Sequence, residues 1–179
     1  MTSDRIKKTR AGVFIDGSNL LWGQKSAGWS LDFQKLKTYL EHAYRPTFFN
    51  YYGCVDVKPS NDVFRSRAVE QEKFYKKLNG VGYSIITKPL KYIQGHTKGD
   101  MDVEIVVDIH KRINDIDTII LCSGDSDYLR AVEDFHSMGK FIRIFSFKSF
   151  LSWELKEFSI KNARCNYKIF DDLKSQLEK

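Results

Sequence analysis

Short apolar segments alternate with longer segments of helical periodicity along most of this 179-residue chain, and this alternation constrains the fold most strongly. The spacing predicts strands over residues 12–15, 47–57, 83–87, 117–122 and 141–147, and helices over 31–44, 63–78, 100–113, 125–138 and 150–158. Strands that alternate with helices pair in parallel, and the crossing helices cover both faces of the sheet. The pattern therefore predicts an α/β fold, a three-layer α/β/α sandwich around a central, mostly parallel sheet.

The composition fits one domain with a packed core, because 42% of the residues are hydrophobic and 14% are aromatic. Residues 1–10 are polar and basic, and we expect a flexible N-terminal tail there. No apolar run is long enough to span a membrane. The three cysteines are an odd number without CxxC spacing, which is typical of a reducing compartment. These features predict a cytoplasmic protein that does not bind membranes.

Aspartates follow two of the predicted strands directly, and a further acidic pair begins a predicted helix. Asp16 follows residues 13–15, Asp125 follows residues 119–122 through Ser123-Gly124, and Asp102 lies beside Asp100. Ligands of open α/β sheets bind at the carboxyl ends of the strands, where the strand order reverses. Carboxylates that crowd there repel each other, and a cation between them relieves the repulsion. The pattern predicts a site for Mg²⁺ or Mn²⁺, which prefer oxygen ligands.

Each aspartate also has a plainer interpretation, because an aspartate at the start of a helix caps free backbone N–H groups. For Asp125 or Asp127 taken singly, capping and metal binding both stay open. Asp16 fits capping less well, since the following Gly17-Ser18-Asn19 already offers cap residues. The chain has no GxxxxGK phosphate loop and no GxSxG nucleophile elbow, so these other site chemistries fit poorly.

Three sequence blocks resemble the signature blocks of the NYN domain, in the LabA-like branch of the PIN-type nuclease superfamily. The blocks are VFIDGSNL (13–20), KGDMDVEIVVDI (98–109) and LCSGDSDYLRAVEDFHSMGK (121–140). The resemblance implies a PIN-like fold and divalent-metal-dependent cleavage of RNA. It assigns residues 11–158 to the nuclease domain and leaves 159–179 as a charged C-terminal extension, packed on the domain or trailing it.

Carried over block by block, the resemblance implies a set of site residues. Asp16, Asp102, Asp125 and Asp127 are the expected metal ligands and catalytic acids, and Asn19 supports Asp16 as a fifth catalytic residue. Asp127 would hold a second ion or orient the attacking water, and the sequence does not choose between these roles. Asp100 occupies a variable position and is treated as a spare acid.

The expected substrate contacts are neutral hydroxyls and basic side chains. Ser18, Ser123 and Ser126 would donate hydrogen bonds near the phosphate or the waters of the metal. Lys98 would contact the scissile phosphate or remain solvated at the surface. Further grip on the strand is expected from Lys88, Lys91, Lys140, Arg143 and Lys148. Tyr92 would stack on a base or pack its loop against the domain. The formal charge of +6 favours a polyanionic partner, and the expected partner is RNA, preferentially single-stranded.

The sequence therefore predicts a metal-dependent endoribonuclease, with two alternatives. The same fold could serve as an RNA-binding or protein-binding regulator with weak or no catalysis, or as a metal-dependent phosphoesterase acting on DNA. The sequence leaves open the sequence specificity, the number of metal ions, the endo or exo mode and the formation of a homodimer.

Overall fold

The computed structural model describes the backbone of residues 9–59, 61–93 and 96–179, and their side chains outside residues 92–98. The strands are β1 Arg10–Asp16, β2 Arg45–Val55, β3 Ser84–Pro89, β4 Lys91–Ile93, β5 His96–Lys98, β6 Thr118–Cys122, β7 Phe141–Ser146 and β8 Cys165–Ile169. The helices are α1 Gly17–Ala27, α2 Phe33–Ala43, α3 Asp62–Val81, α4 Asp102–Lys111, α5 Leu129–Ser137, α6 Trp153–Lys161 and α7 Lys174–Leu177. Short 3-10 helices cover Ser126–Tyr128, Lys148–Phe150 and Phe170–Leu173.

A six-stranded sheet forms the centre of the molecule, with the strand order β3-β2-β1-β6-β7-β8. All neighbouring strands in this sheet pair in parallel. The chain builds the sheet outward from β1 to β3, then returns to the centre with β6 and builds outward on the other side. The order therefore reverses between β1 and β6, and the predicted parallel α/β sheet is confirmed.

Side chains of β1 alternate between two separate apolar cores, one on each face of the sheet. Val13 and Ile15 pack in the core that contains Leu36 and Leu40 of α2, while Phe14 packs in the other core with Ile105 of α4. The second core also receives the apolar sides of α5 and α6. Each fully buried side chain of this size contributes about 1.5–3 kcal/mol. Two cores of this kind stabilise the three-layer arrangement.

The structure adds α1, a helix that the sequence analysis did not assign. Asp16 caps its first turn, and its buried side is narrow, with Leu20 and Gly23 facing the sheet. Gly23 is needed because a Cβ there would overlap the ring of Phe147. Gly28 ends the helix with φ of 72°, a left-handed conformation that favours glycine.

The segment after residue 158 contributes to the sheet as well, although no element was predicted there. Strand β8 pairs with β7 along the edge. The chain then returns to the start of α2, where the Leu177 carbonyl accepts a hydrogen bond from the Asp32 amide at 2.8 Å. Residues 88–98, where no helix or strand was predicted, also contain regular structure, because Lys88 belongs to β3 and the rest includes the antiparallel pair β4–β5. Across the described ranges, no helix is long and apolar enough to cross a membrane.

Candidate active site

The predicted acidic residues meet where the strand order reverses. Asp16 is the last residue of β1, and Ser123, Gly124 and Asp125 follow β6 directly. The two strands are neighbours in register, with Ile15 opposite Cys122, so the residues after them leave the same edge of the sheet side by side. This is the position at which open α/β sheets bind ligands.

Asp16 is buried, with 4% of its surface exposed, and each of its carboxylate oxygens accepts hydrogen bonds. Oδ1 accepts from the Ser18 hydroxyl at 3.0 Å and from the Asn19 amide at 3.1 Å. Oδ2 accepts from the Ser123 hydroxyl at 3.1 Å. Asp16 is therefore the N-cap of α1, and the expectation that the residues after it would cap the helix was wrong. One oxygen caps the helix while the other turns toward the β6 loop.

Tyr128 connects two of the predicted acids, and the sequence analysis did not identify it. Its hydroxyl donates a hydrogen bond to Asp102 Oδ1 at 2.7 Å and lies 3.5 Å from Asp16 Oδ2. The side chain is 1% exposed. Burial, together with the nearby carboxylates of Asp16 and Asp102, raises the pKa of the phenol far above its usual range, so the hydroxyl remains a donor. The sequence signal that could have identified Tyr128 is its position directly after the SGDSD block.

Asp102 is the first residue of α4 and is half-buried. Its burial raises the pKa of the carboxyl group, and repulsion from Asp16, Asp125 and Asp100 raises it further, while the hydrogen bond from Tyr128 opposes the shift. The structure thus brings three of the four predicted acids, with Asp100, into one mutually repelling group. We call Asp16, Asp102 and Asp125 the acid cluster.

Asp125 and Asp127 lie in the turn between β6 and α5. Asp125 Oδ1 accepts a hydrogen bond from the Asp127 amide at 3.1 Å, so Asp125 caps the short 3-10 helix as well as joining the acid cluster. The side chain of Asp127 is exposed to solvent. Capping and membership of the acid cluster are therefore compatible for Asp125, while Asp127 lies at the rim.

Asn19 holds the β6 loop against α1. Its Oδ1 accepts a hydrogen bond from the Gly124 amide at 3.2 Å, and the Ser123 hydroxyl accepts one from the Asp125 amide at 3.3 Å. A Cβ at Gly124 would overlap the carbonyl of Phe150, so only glycine fits this close approach. Asn19 and Ser123 thus fix the position of the acid cluster, whereas Ser126 is exposed at the surface.

Two of the predicted basic residues are described near the acid cluster. Lys88 Nζ lies 2.8 Å from Glu104 Oε2 and 3.8 Å from Asp100 Oδ1. Burial lowers the pKa of Lys88, but the hydrogen bond and attraction from Glu104 outweigh it and raise the pKa above its usual value. Lys91 is exposed on β4. The side chains of Lys98 and Tyr92 lie outside the described residues.

Lys140 and Arg143, expected to grip the substrate, lie at the wrong edge of the sheet. Lys140 donates to the Ile116 carbonyl at 2.9 Å, and Arg143 donates to the Arg164 carbonyl at 3.0 Å. Both carbonyls precede strands, so these contacts lie at the amino edge, opposite the acid cluster. The expectation overlooked that Lys140 directly precedes the predicted strand 141–147, which in a parallel sheet places it at the amino edge. Lys148 is exposed and follows β7 at the carboxyl edge, where it was expected.

The carboxylate oxygens of the acid cluster are suitable ligands for a hard divalent cation. Among the residues that the structure describes, no three acidic, histidine or cysteine side chains converge closely enough to form a complete metal site. Mg²⁺, however, usually keeps several waters and is held by one or two carboxylates. Asp16 and Asp102 meet that requirement, since one hydroxyl reaches both. Their repulsion, and that from Asp125, would be relieved by a cation.

Comparisons with known proteins agree with this architecture. The NYN domain family model matches residues 10–163. The chain is 28% identical to the Low amplitude and bright protein LabA of Synechococcus elongatus over 181 aligned positions, which cover 97% of this chain and 90% of LabA. A crystal structure of a protein of unknown function from Vibrio parahaemolyticus shares the fold with a TM-score of 0.73, at 22% identity and with 94% and 95% of the two chains covered.

These findings confirm the expected resemblance and the PIN-like α/β/α sandwich. The three signature blocks that carry the resemblance all lie within the matched residues, and two of them meet at the reversal point of the sheet. Because the family model spans most of the chain, the protein belongs to the NYN domain family.

Proposed function

We propose that this protein is a divalent-metal-dependent endoribonuclease that hydrolyses RNA phosphodiester bonds at the acid cluster. The supporting observation is the Tyr128 hydroxyl, which lies within hydrogen-bond reach of both Asp16 and Asp102 at the reversal point of a parallel sheet. Carboxylates gathered at this edge repel each other, which a purely structural site would have no reason to maintain.

The roles of the residues follow from their positions. Asp16, Asp102 and Asp125 would hold Mg²⁺ or Mn²⁺, directly or through water. When bound, the ion supplies a water of lowered pKa and neutralises charge on the phosphate. Asp127, exposed at the rim, would orient the attacking water or hold a second ion. The roles proposed here are those expected from the sequence, now assigned to the positions that the residues occupy in the fold.

The remaining polar residues would position the substrate. Ser18 and Ser126 offer hydroxyls beside the acid cluster, although the Ser18 hydroxyl already donates to Asp16. Lys91 and Lys98, on the antiparallel pair β4–β5, would approach the phosphates. Lys88 would act mainly through Glu104, since the two side chains form an ion pair.

An RNA-binding module with weak catalysis is a second candidate, and one observation favours it. Tyr128 donates to Asp102, and Ser18, Asn19 and Ser123 donate to Asp16, so both carboxylates are hydrogen-bonded by the protein alone. An arrangement of this kind could persist without turnover. The two candidates differ in whether loss of one acid abolishes cleavage.

The test is a cleavage assay on RNA and DNA oligonucleotides with Mg²⁺, with Mn²⁺ and with EDTA, comparing the wild type with Asp125→Asn. We expect cleavage of RNA that EDTA abolishes. Asp125→Asn keeps an oxygen for the cap but loses a charged ligand, so the rate should fall by about two orders of magnitude, or about 2.7 kcal/mol.

Asp32→Asn is the matched control. Asp32 caps α2 through the amides of Gln34 and Lys35, as Asp125 caps its own helix, so the control makes the same chemical change at a similar backbone position. It should cleave like the wild type. Cleavage that survives EDTA, or an Asp125→Asn variant as active as the wild type, would contradict the proposal.

A further inference from the structure

Two of the three tryptophans in the chain are largely exposed; one belongs to the helix that Asp16 caps, and the other follows a segment that contacts Gly124, the residue before Asp125. Trp22 is 57% exposed and Trp153 is 65% exposed. The third, Trp29, is buried and packs its ring against Phe147. Exposed tryptophan surface is costly to hydrate, and large exposed apolar side chains beside a site often mark a binding surface.

Trp22 lies on the side of α1 that carries Ser18, whereas Asn19 makes the contact of this helix with the β6 loop. It is one helical turn after Ser18, whose hydroxyl donates to Asp16, and residues four apart share a helix face. Ser26, one further turn along, has its hydroxyl 3.1 Å from that of Ser149. Trp22 is therefore placed between the acid cluster and the 3-10 helix that begins at Lys148.

Trp153 lies next to a contact with the β6 loop. It is the first residue of α6 and follows Ser152, whose amide donates to the Gly124 carbonyl at 2.8 Å. Gly124 immediately precedes Asp125. The segment from Ser149 to Trp153 thus runs from Ser26, one turn after Trp22 on α1, to the loop that precedes Asp125, and it ends at Trp153.

Cations accompany these rings. Lys25 Nζ lies 4.4 Å from the centroid of the Trp22 ring, and Lys148, the residue before Ser149, is exposed. A nucleotide offers a flat base for stacking and a phosphate for an ammonium group, so an aromatic ring beside a lysine matches both. An exposed ring with a lysine beside it, next to an acid cluster, matches a nucleotide more closely than it matches a protein partner.

We propose that Trp22 and Trp153 stack on unpaired bases of a single-stranded RNA that flank the phosphodiester at the acid cluster, with Lys25 against a phosphate. This inference rests on the proposed function of the same site, and it adds the side chains that bind the bases and select a single strand. In a duplex the faces of the bases are already stacked, whereas unpaired bases can be splayed onto aromatic side chains. The two tryptophans therefore select single strands.

The test titrates the protein with a short oligoadenylate in EDTA, so that no strand is cleaved, and follows tryptophan fluorescence. We expect quenching, because the exposed indoles contact bases while Trp29 stays buried. Trp22→Ala and Trp153→Ala should each weaken binding about 5- to 150-fold, the usual effect of losing one stacked base. Trp22→Phe keeps a flat ring and should lose less. A duplex of the same length should cause little quenching.

Phe141→Ala is the matched control, since Phe141 is a partly exposed aromatic with the Arg143 guanidinium 5.6 Å from its ring, at the amino end of β7. It should bind like the wild type. Unchanged affinity in both tryptophan variants, an equal loss in Phe141→Ala, or equal quenching by the duplex would overturn the inference.

A parallel cleavage assay with Mn²⁺ separates this inference from the proposed function. Quenching by oligoadenylate without cleavage by the wild type would refute the nuclease and support the stacking. Cleavage by the wild type, with tryptophan variants that bind as tightly, would support the nuclease and refute the stacking.

Discussion

Substituting Tyr128 by phenylalanine tests whether the phenol organises the acid cluster. The change removes one oxygen and leaves the ring, so the packing of this buried side chain is kept. Asp16 retains its donors from Ser18, Asn19 and Ser123, whereas Asp102 Oδ1 loses the hydrogen bond of 2.7 Å. The stability lost in the variant is therefore the contribution of the hydrogen bond to Asp102.

The magnitude follows from the environment of Asp102. A hydrogen bond to a charged group contributes about 1.5–3 kcal/mol when buried. Asp102 is half-buried, so water replaces part of the lost bond, and we expect a loss of about 1–2 kcal/mol. For a chain of this size, each kcal/mol corresponds to about 2–4 °C, which predicts a decrease in Tm of about 2–8 °C.

The pH dependence identifies the cause of the loss. The hydrogen bond from Tyr128 lowers the pKa of Asp102, so the bond is strongest when the carboxyl group is ionised. The Tm difference between the wild type and Tyr128→Phe should be largest near about pH 8 and should shrink toward about pH 4. Saturating Mn²⁺ should also reduce the difference, because a cation would stabilise the carboxylate in place of the donor.

Thermal melts over this pH range, with and without Mn²⁺, provide the measurement. Tyr83→Phe is the control, since Tyr83 is buried and its hydroxyl donates to the Phe33 carbonyl at 2.8 Å, with no carboxylate as acceptor. It should lower Tm by an amount that neither pH nor Mn²⁺ changes. If the Tm difference between the wild type and Tyr128→Phe is likewise independent of pH and Mn²⁺, the ionised Asp102 carboxylate is not the partner that stabilises the protein through Tyr128.

Four further outcomes are expected. Asp125→Asn should change the free energy of unfolding by only a few tenths of a kcal/mol in melts, while Asp125→Ala should cost about 1 kcal/mol through the lost cap; equal losses would contradict the capping contact. The pKa of Asp102 is raised above 3.8, so its contribution to the stability of the metal-free protein is present below pH 3.8 and is lost as the pH rises through the raised pKa. Mn²⁺ binding measured by calorimetry should weaken as the pH falls through the pKa of Asp102, because the ion needs the ionised carboxylate. A metal affinity that stays constant over this pH range would count against Asp102 as a ligand. Lys91→Ala should reduce the slope of log affinity for single-stranded RNA against log salt by about 0.7, and Lys88→Ala should reduce it less, because Lys88 is already paired; the reverse order would make Lys88 the phosphate contact. Gly124→Ala should lower stability by about 1–3 kcal/mol in urea titrations through overlap with the neighbouring backbone, and a neutral effect would show that the loop can move aside.

The sequence predicted the sheet well because its two central strands contain short continuous apolar runs. Residues 119–122 form such a run, which predicts a buried strand, and the structure buries all four. Helix α1 was missed because the exposed Leu21 and Trp22 obscure its narrow apolar stripe. Strand β8 was missed because it lies at the edge, where buried and exposed residues alternate over only five positions.

The candidate site was predicted in its location and acids, and less well in its local contacts. Parallel strands fix which residues share an edge, so Asp16 and Asp125 could be placed together from the pattern alone. The partner of the Tyr128 hydroxyl could not, because Asp102 lies 26 residues earlier in the chain. The misplacement of Lys140 was avoidable, since a residue directly before a predicted parallel strand lies at the amino edge of the sheet.

The pairing of β1 with β6 has a consequence for how the protein folds. The hydrogen bond between Ser123 and Asp16 joins residues that are 107 positions apart, so the central contact closes one of the longest loops in the chain. Parallel pairings of such high contact order form slowly, because the entropy of closure is lost before the contact stabilises the chain. A nascent or half-folded chain that has built only β1 to β3 contains Asp16 without Tyr128 or Asp125. The acid cluster therefore comes into existence only when β6 pairs with β1, and chemistry at this site is confined to molecules in which the two halves of the sheet have joined.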